Sequence, residues 1–216
     1  MSRRDTRLVL GSRSPRRLEL LRQIWPAEQI DVVPPSSIAE AHFENLHDWQ
    51  SIERRLLEIA VAKCGDVAAQ VRSRLNDAGT LSPLSPCGRG VGGEGAFGHY
   101  ESSVVIAADT VVIVDRGGLL HVLGQPPDDD SWREAVRRWF REDYAGKTHL
   151  AVTALCLERL HSNGSQEARR MTRVVTSRVT FVEDVDRWLD WYLSTEEPRG
   201  KAGGYALQGA GSIFIA

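Results

Sequence analysis

The stretch from Leu8 to Leu21 constrains the fold more than any other part of the sequence. It predicts a short apolar strand over Leu8–Leu10, a polar turn, and a helix that begins at Ser14 and Pro15. Serine is a favoured N-cap residue and proline is favoured at the first helical position, so the boundary is well marked. The sequence therefore predicts a strand–turn–helix unit at this end of the chain.

The first turn of this helix contains two arginines, Arg16 and Arg17. The N-terminus of a helix has partial positive charge and unpaired N–H groups, so two cations there are mildly unfavourable unless an anion lies among them. A phosphate would remove the conflict, because helix N-termini bind anions and arginine binds phosphate oxygens in a bidentate manner. The alternative is two solvated arginines beside an acidic surface patch, and the spacing alone does not separate the two interpretations.

Composition excludes several classes of protein. A chain of 216 residues is long enough for one domain with a substantial core, and its net charge of −2 argues against a general nucleic-acid binder. No apolar run approaches the roughly 20 residues of a membrane span, and the N-terminus does not resemble a signal peptide. The three cysteines, Cys64, Cys87 and Cys156, are far apart in the sequence and form no C-x-x-C pair. They predict a reducing, cytoplasmic location, with neither a zinc site nor a disulfide framework.

The middle of the chain contains a long helix and then a change in composition. Apolar residues recur every three or four positions over residues 51–75, which predicts an amphipathic helix with Lys63 beside its apolar stripe. Residues 76–101 are rich in serine, proline and glycine, and we expect a disordered insertion there. A match to the G-x-G-x-x-G pattern inside this segment has neither a preceding strand nor a following helix, so low complexity explains it better.

The rest of the chain alternates between strands and helices. Gly117-Gly118 predicts a hairpin turn, and a final apolar strand is expected over Ser212–Ala216. Because strands and helices mix without a strict βα repeat, the sequence predicts an α/β fold with a mixed, twisted sheet flanked by helices. A predicted strand over Val104–Ala108 ends in Asp109-Thr110, and the chain continues as the apolar run Val111–Val114. The other predicted strands are Ile30–Val33, Leu119–Leu123, His149–Leu157 and Met171–Phe181, and the other helices lie over Trp132–Arg141 and from Asp184 to Tyr192.

Asp109 is the strongest single candidate for chemistry. It follows the five apolar residues Val104–Ala108, and open α/β sheets place ligands at the C-terminal ends of such strands. Its carboxylate could bind Mg²⁺, orient a water molecule or accept a proton from it. Alternatively Asp109 only terminates a strand, Thr110 is an ordinary strand residue, and Lys63 is a surface lysine whose stem covers apolar surface.

A second candidate segment lies near the C-terminus, where Lys201 stands among glycines. Glycine allows the backbone to approach a ligand closely, and Gln208 has donors and an acceptor suited to a base or ribose edge. The alternative is a flexible surface loop. His149 begins an apolar strand, and a structural role is the simpler interpretation.

Gly146-Lys147-Thr148 invites a P-loop interpretation. A Walker A motif requires a glycine where this chain has Arg141, and a strand should lead into it. A P-loop kinase or GTPase is therefore disfavoured.

Four segments together resemble the signatures of the Maf family of nucleoside triphosphate pyrophosphatases. Ser12–Leu21 resembles S-x-S-P-R-R-x-E-L-L, and Ala108–Val112 resembles A-D-T-x-V. Gly146–Thr153 resembles G-x-x-H-x-V-x-T, and Lys201–Gly209 resembles K-A-G-x-Y-x-x-Q-G. The match runs in order over nearly the whole chain outside the insertion, and four ordered motifs are far more specific than one.

The resemblance implies an inosine triphosphate pyrophosphatase-like α/β fold with a central cleft, a divalent cation (Mg²⁺ or Mn²⁺), and hydrolysis of nucleoside triphosphates to monophosphate and pyrophosphate. It implies that Asp109 activates water for attack on the α-phosphorus and binds the metal together with Glu40. It also suggests a homodimer, while composition indicates that the partners include neither nucleic acid nor membrane. The catalytic residues that it implies are Asp109, Lys63 and Glu40, with Lys63 also helping to neutralise the triphosphate. The substrate-binding residues that it implies are Ser12, Arg16, Arg17, Thr110, Lys201 and Gln208.

Three of these residues, Arg16, Thr110 and Gln208, fall at positions that separate branches of the family. Their combination resembles the branch that hydrolyses dTTP and UTP rather than the branch that acts on 7-methylguanosine triphosphate. This implies a house-cleaning role in nucleotide metabolism.

The chain departs from the family pattern in three places. Gln125 in Gly124–Pro126 replaces the lysine of the usual G-K-P, the insertion separates two motifs, and the chain stops at Ala216, where relatives usually continue. The whole chain is expected to form a single catalytic domain, 1–216. The alternative function is a catalytically weakened nucleotide-binding regulator of cell division or stress.

Overall fold

A computed structural model describes residues 6–36, 43–79, 102–161 and 169–216. None of the described helices is long and apolar enough to cross a membrane. A π-helical turn, Trp139–Tyr144, follows the helix Trp132–Arg138, and short 3₁₀ turns lie at Ala27–Gln29, Ala202–Gly204 and Ala210–Phe214. The regular elements in chain order are β1 Thr6–Gly11, α1 Pro15–Arg22, β2 Ile30–Val32, α2 Trp49–Gly79, β3 Ser102–Arg116, β4 Leu119–Leu123, α3 Trp132–Arg138, β5 Thr148–His161, β6 Arg169–Thr180 and α4 Asp186–Ser194.

The strands form one six-stranded mixed sheet in the order β2-β1-β3-β5-β6, with β4 paired to β3. β1 is parallel to both neighbours, with Leu8 opposite Ile30 on one side and Val104 on the other. β3 and β4 are antiparallel and are joined at Gly117 and Gly118, whose positive φ angles of 66° and 87° suit a tight hairpin. The predicted α/β fold with a mixed sheet is confirmed.

The chain divides into two compact units. The first contains Met1–Glu40, Ile59–Ala108 and Leu155–Arg173, and the second contains Ala41–Glu58, Asp109–Ala154 and Val174–Ala216. The single catalytic domain stays a prediction. The predicted insertion begins inside α2, which continues to Gly79, and the rest of it up to Ser102 lies outside the described residues.

The core of the first unit is built on the amphipathic face of α2. Ala60, Cys64, Val67 and Val71 follow one another at helical spacing, and all are fully buried. Cys64 and Cys156 are free thiols, as predicted, whereas Cys87 lies outside the described residues. A hydrogen bond with Cys156 and burial together raise the pKa of the Cys64 thiol, which favours an inert thiol in the core.

The core of the second unit is aromatic. Phe140 lies at its centre, with ring centroids 5.4 Å from Phe181 and 5.0 Å from Phe214, both in edge-to-face arrangements. Tyr144 and Tyr192 complete the group and are fully buried. Such ring pairs add stability beyond the area that they bury.

This aromatic core explains one wrong prediction. Ser212–Ala216 is not a strand: Ala210–Phe214 forms a 3₁₀ turn, and only an isolated bridge joins Ile215 to Phe181. The Phe214 side chain is fully buried among the rings, and its carbonyl accepts a hydrogen bond from the Val182 N–H at 2.8 Å. Tertiary burial of one ring therefore overrides the apolar pattern that predicted a strand.

Candidate functional site

The turn between β1 and α1 is shaped by Ser12 rather than by Ser14. Ser12 is 6% exposed, and its Oγ accepts a hydrogen bond from the Ser14 N–H at 3.1 Å. Ser14 is the N-cap residue of α1, but its hydroxyl makes no capping hydrogen bond in the described part of the chain. The predicted start of α1 is confirmed. The side chain that closes the turn is that of Ser12, and not that of Ser14.

Gly11 is closely packed where β1 enters this turn. A Cβ atom built on Gly11 would lie 3.1 Å from Cγ2 of Val67 in α2 and 3.3 Å from the Ile106 carbonyl oxygen in β3. At these distances a side chain would require α2 or β3 to move by a few tenths of an ångström, so glycine suits this close approach. Ser12 therefore follows a tightly packed residue.

Arg17 joins the start of α1 to β3. Its Nη1 donates a hydrogen bond to the Ala108 carbonyl oxygen at 2.7 Å, and the same atom lies 3.5 Å from Ser12 Oγ. Ala108 immediately precedes Asp109 in the chain. The first and second motifs of the sequence thus meet at this contact.

Arg16 lies in the same first turn of α1 but in a different environment. It is half-buried, and it has neither an ion-pair nor a hydrogen-bond partner among the described residues. The first turn also contains no acidic residue. The repulsion between the Arg16 guanidinium and the positive end of the α1 dipole is therefore not offset by any described side chain. A bound anion would offset it.

Lys63 is the remaining described candidate of the first unit. Lys63 is half-buried on α2, next to Cys64, whose thiol donates a weak hydrogen bond to the Val105 carbonyl oxygen of β3 at 3.9 Å. Glu40 lies in residues 37–42, outside the described residues. The last described residue before that gap, Ser36, donates hydrogen bonds from its amide and hydroxyl to the Asp66 carboxylate at 2.9 and 2.6 Å.

Asp109 lies inside β3. The prediction that it stands at the C-terminal end of a strand is therefore wrong. It falls between Ala107, the last residue paired with β1, and Val112, the first residue paired with β4. The parallel ladder ends just before Asp109 while the strand itself continues, because Val111–Val114 are buried apolar residues with their own antiparallel partner. Asp109 and Thr110 are both half-buried, and Thr110 Oγ1 lies 3.0 Å from Thr153 Oγ1 of β5.

The glycines after Lys201 form a tight and well-packed turn. Gly203 and Gly204 have φ angles of 68° and 72°, and the Gly203 N–H donates a hydrogen bond to the Gly124 carbonyl oxygen at 2.8 Å. Both glycines are buried, whereas Lys201 is half-buried and its ammonium group donates to the Glu197 carbonyl oxygen. The flexible-loop alternative is therefore wrong for this turn.

Two buried tyrosines that the sequence did not single out support the same turn. Tyr144 OH donates a hydrogen bond to the Gly203 carbonyl oxygen at 2.9 Å, and Tyr192 OH donates to the Gly204 carbonyl oxygen at 3.1 Å. Both tyrosines come from helical segments in which they match an apolar stripe. Their pattern alone therefore predicts core residues, and their hydroxyl partners follow only from the tertiary structure.

His149 has the structural role that the sequence favours. It is 2% exposed, and its Nε2 lies 2.7 Å from Tyr205 OH. Burial lowers the pKa of His149 to about 4, against a smaller opposing effect of Asp143, so the ring is neutral near pH 7. The ring also packs against Tyr144, with centroids 4.2 Å apart.

The residues of the last motif that follow this turn are more open. Leu207 and Gln208 are exposed, and so is Gln125, the residue that stands in place of a lysine. Gln125 is nevertheless adjacent to Gly124, which is hydrogen-bonded to Gly203. The segment with the missing cation is thus attached directly to the Lys201 turn.

The Asp109 carboxylate is a suitable ligand for a divalent cation. No group of three or more His, Cys, Asp or Glu side chains within the described ranges could hold a metal ion by itself. Asp109 offers a half-buried carboxylate, and Mg²⁺ is commonly held by one or two carboxylates together with substrate phosphates. Substrate phosphates would have to complete such a site.

The predicted site residues are distributed over both units. Ser12, Arg16, Arg17 and Lys63 belong to the first unit, where Ser12 and Arg17 are in contact. The second unit contains Asp109, Thr110, Lys201 and Gln208.

Comparison with known proteins establishes the family. The model of the family described as Maf-like protein matches residues 7–216, and the chain belongs to this family. A protein of Anaeromyxobacter dehalogenans named dTTP/UTP pyrophosphatase is 32% identical over 209 residues, covering 97% of this chain and 81% of the relative. A protein of the same name from Pyrococcus furiosus is 27% identical, covering 97% and 82%. A solved structure of a HAM1 protein from Coxiella burnetii aligns with a TM-score of 0.41 and 11% identity over 83% of this chain and 74% of that one.

Proposed function

We propose that this protein hydrolyses nucleoside triphosphates, with dTTP and UTP as its main substrates, to the monophosphate and pyrophosphate. The observation that carries the proposal is the hydrogen bond from Arg17 to the Ala108 carbonyl oxygen, which attaches the anion-binding start of α1 to the residue before Asp109. The names of the relatives, which align with nearly the whole chain, support the same activity.

Arg16, Arg17 and Lys201 bind and neutralise the triphosphate in this proposal. Arg16 is the residue best suited to take a phosphate, because no described side chain competes for it. Ser12 and Lys63, which also belong to the first unit, supply further donors. Fixed cations and N–H groups around the transferring phosphorus are usually the largest catalytic contribution in phosphoryl transfer.

Asp109 orients the attacking water and accepts its proton. The water oxygen forms a bond to the α-phosphorus while the bond from that phosphorus to the bridging oxygen breaks, and pyrophosphate leaves with the electron pair. A divalent cation, when bound, would neutralise triphosphate oxygens, with Asp109 and Glu40 as its protein ligands. Thr110, the residue after Asp109, has its hydroxyl oriented by the contact with Thr153.

Substrate preference is assigned to Arg16, Thr110 and Gln208. Gln208 is exposed at the end of the Lys201 segment, and its amide can both donate to and accept from a pyrimidine edge. We further propose that the protein works as a homodimer in the cytoplasm. Sedimentation of the purified protein tests the oligomeric state.

The missing cation at Gln125 favours a second candidate, a nucleotide-binding regulator with little turnover. Gln125 can form a hydrogen bond to phosphate but offers no charge, and its neighbour Gly124 is bonded to the Lys201 turn. This candidate predicts triphosphate binding in calorimetry without release of pyrophosphate.

One experiment separates the two candidates. Pyrophosphate release is measured with Mg²⁺ or Mn²⁺ on a panel of dTTP, UTP, 7-methylguanosine triphosphate and the common nucleotides, for wild type, Asp109→Asn and Gln125→Lys. Turnover of dTTP and UTP that falls at least about 100-fold in Asp109→Asn supports the enzyme. Turnover no higher than that of Asp109→Asn on every nucleotide overturns it, and activity that appears only in Gln125→Lys supports the regulator.

A further inference from the structure

We propose that Glu197 is a positioning residue that holds both ends of the segment Pro198–Gly209, which contains Lys201 and Gln208. The inference rests on the proposed function, because it assigns the orientation of two substrate-binding residues to a third residue outside the motif. Glu197 lies four residues before Lys201 and itself makes no proposed contact with the nucleotide.

The carboxylate of Glu197 reaches across the segment to its far end. Oε2 accepts a hydrogen bond from the Ala210 N–H at 2.7 Å, and Oε1 accepts one from the Gly211 N–H at 3.3 Å. Two successive backbone N–H groups therefore converge on one carboxylate. Hydrogen bonds to an ionised acceptor are about twice as strong as neutral ones, so this contact is well suited to fix a chain segment.

The backbone of the same residue holds the near end. The Lys201 ammonium group donates a hydrogen bond to the Glu197 carbonyl oxygen. One residue thus contacts the side chain of Lys201 through its carbonyl group and the residues after Gly209 through its carboxylate.

Gly209 shows that this contact leaves no room for a side chain. A Cβ atom on Gly209 would lie 2.3 Å from Oε1 of Glu197 and 2.5 Å from Oε2. Gly209 has a φ of −121°, which any residue can adopt. A side chain at this position would have to displace the Glu197 carboxylate and break its contacts with the backbone, so the glycine that ends the K-A-G-x-Y-x-x-Q-G pattern is compatible with the Glu197 contact.

The middle of the segment is held separately. Tyr192 OH donates to the Gly204 carbonyl oxygen at 3.1 Å and also lies 3.5 Å from Oε1 of Glu197. Beyond this buried part, Leu207 and Gln208 are exposed. Because Gln208 lies between the buried turn and the Glu197 contact, both are needed to give it one orientation before substrate binds.

Loss of the Glu197 contacts with Ala210 and Gly211 is expected to weaken substrate binding more than it slows the chemical step. A segment that must become ordered on binding lowers affinity, whereas Asp109 and the arginines are unchanged. In Glu197→Gln we expect KM for dTTP to rise about tenfold while kcat changes less than about threefold. Glu197→Asp, one methylene shorter, should behave in the same way because it cannot reach both N–H groups.

Glu196→Gln is the matched control. Glu196 carries the same charge one residue earlier, but it is 57% exposed and meets only Arg133 across 3.3 Å in the described structure. A surface ion pair of this kind contributes little. The control should keep the wild-type KM.

Amide hydrogen exchange without nucleotide gives a readout that does not depend on turnover. The N–H groups of Ala210 and Gly211 should exchange faster in Glu197→Gln than in wild type or Glu196→Gln, with α4 unchanged. If Glu197→Gln does not fold, Tyr192→Phe removes one donor to the Gly204 carbonyl and to Glu197 while keeping the buried ring, and a smaller rise in KM is expected.

The outcomes separate this inference from the proposed function. Wild-type KM and wild-type exchange in Glu197→Gln, or an equal rise of KM in Glu196→Gln, overturn the role of Glu197 while leaving the pyrophosphatase intact. If wild type itself releases no pyrophosphate, the proposed function fails. Exchange at Ala210 and Gly211 then still decides whether Glu197 holds the segment.

Discussion

Arg17 donates a hydrogen bond from Nη1 to the Ala108 carbonyl oxygen across 2.7 Å. Ala108 is the last residue of β3 that belongs to the first unit, and Asp109 follows it directly. A side chain predicted to bind phosphate therefore also contacts the strand that leads to Asp109, the proposed catalytic carboxylate. Its neighbour Arg16 has no such structural partner among the described residues.

The two arginines should accordingly differ when each is removed. Arg16→Ala should raise KM for dTTP about 10- to 100-fold without changing the free energy of unfolding, because only the phosphate loses a partner. Arg17→Ala should lower kcat/KM by at least as much and also cost about 1–2 kcal/mol of stability, because the Ala108 carbonyl loses a charge-assisted hydrogen bond. Steady-state kinetics and urea unfolding measure the two effects.

Arg22→Ala is the control for that pair, since Arg22 is exposed in the last turn of the same helix. It should leave KM at the wild-type value. Identical kinetic and stability effects of Arg16→Ala and Arg17→Ala would contradict the division of roles.

Gly203→Ala should destabilise the protein severely. A Cβ atom there would lie 2.6 Å from both Tyr144 OH and Val112 Cγ2, and the φ of 68° already disfavours a side chain. Overpacking costs about 1–3 kcal/mol, and the left-handed backbone adds about 1 kcal/mol or more. Thermal unfolding of the variant measures the sum.

Gly117→Ala isolates the backbone contribution. Gly117 has a nearly identical φ of 66°, but nothing lies within 4 Å of its hypothetical Cβ atom. It should lose only about 1 kcal/mol. Equal losses at Gly117 and Gly203 would show that the tight contact with Tyr144 and Val112 does not matter.

The buried His149 should make stability fall in mild acid. Its pKa is about 4 in the folded protein against 6.5 for the exposed group, so the unfolded chain binds the proton more readily between those values. Stability is therefore fully present above pH 6.5, declines as pH falls through the window, and levels off near pH 4. The slope contributed by one such group is at most about 1.4 kcal/mol per pH unit.

His149→Gln removes this titration and keeps a group that can form a hydrogen bond with Tyr205 OH. Urea midpoints measured from pH 7.5 down to pH 4 should fall less steeply in the variant than in wild type. Parallel curves would show that His149 is not the source of the acid sensitivity.

Local signals in the sequence predict most of the helices and turns that carry the candidate residues. Ser14-Pro15 marks the start of α1 because capping preferences act over a few residues, and Gly117-Gly118 marks the hairpin because two positive φ angles are needed there. Lys63 falls on α2 as its periodicity predicts. These features depend on neighbours in the chain, and a single sequence contains that information.

Features that depend on distant partners could not be predicted in the same way. The contact of Glu197 with Ala210 and Gly211 joins a side chain to backbone groups, and backbone groups leave no trace in residue identity. Tyr144 and Tyr192 match an apolar stripe, which hides their hydroxyl roles. Whether Glu40 lies near Asp109 stays a prediction, since Glu40 is outside the described residues.

The close packing at Gly11 has a consequence for how the protein responds to heat. The turn that contains Ser12 is held in place where α2 and β3 press against a residue without a side chain, with Val67 Cγ2 only 3.1 Å from the hypothetical Cβ atom. We expect that a small movement of α2 away from Gly11 disturbs this turn before helical hydrogen bonds are lost. Affinity for the triphosphate should therefore decline at temperatures where circular dichroism still reports an intact fold.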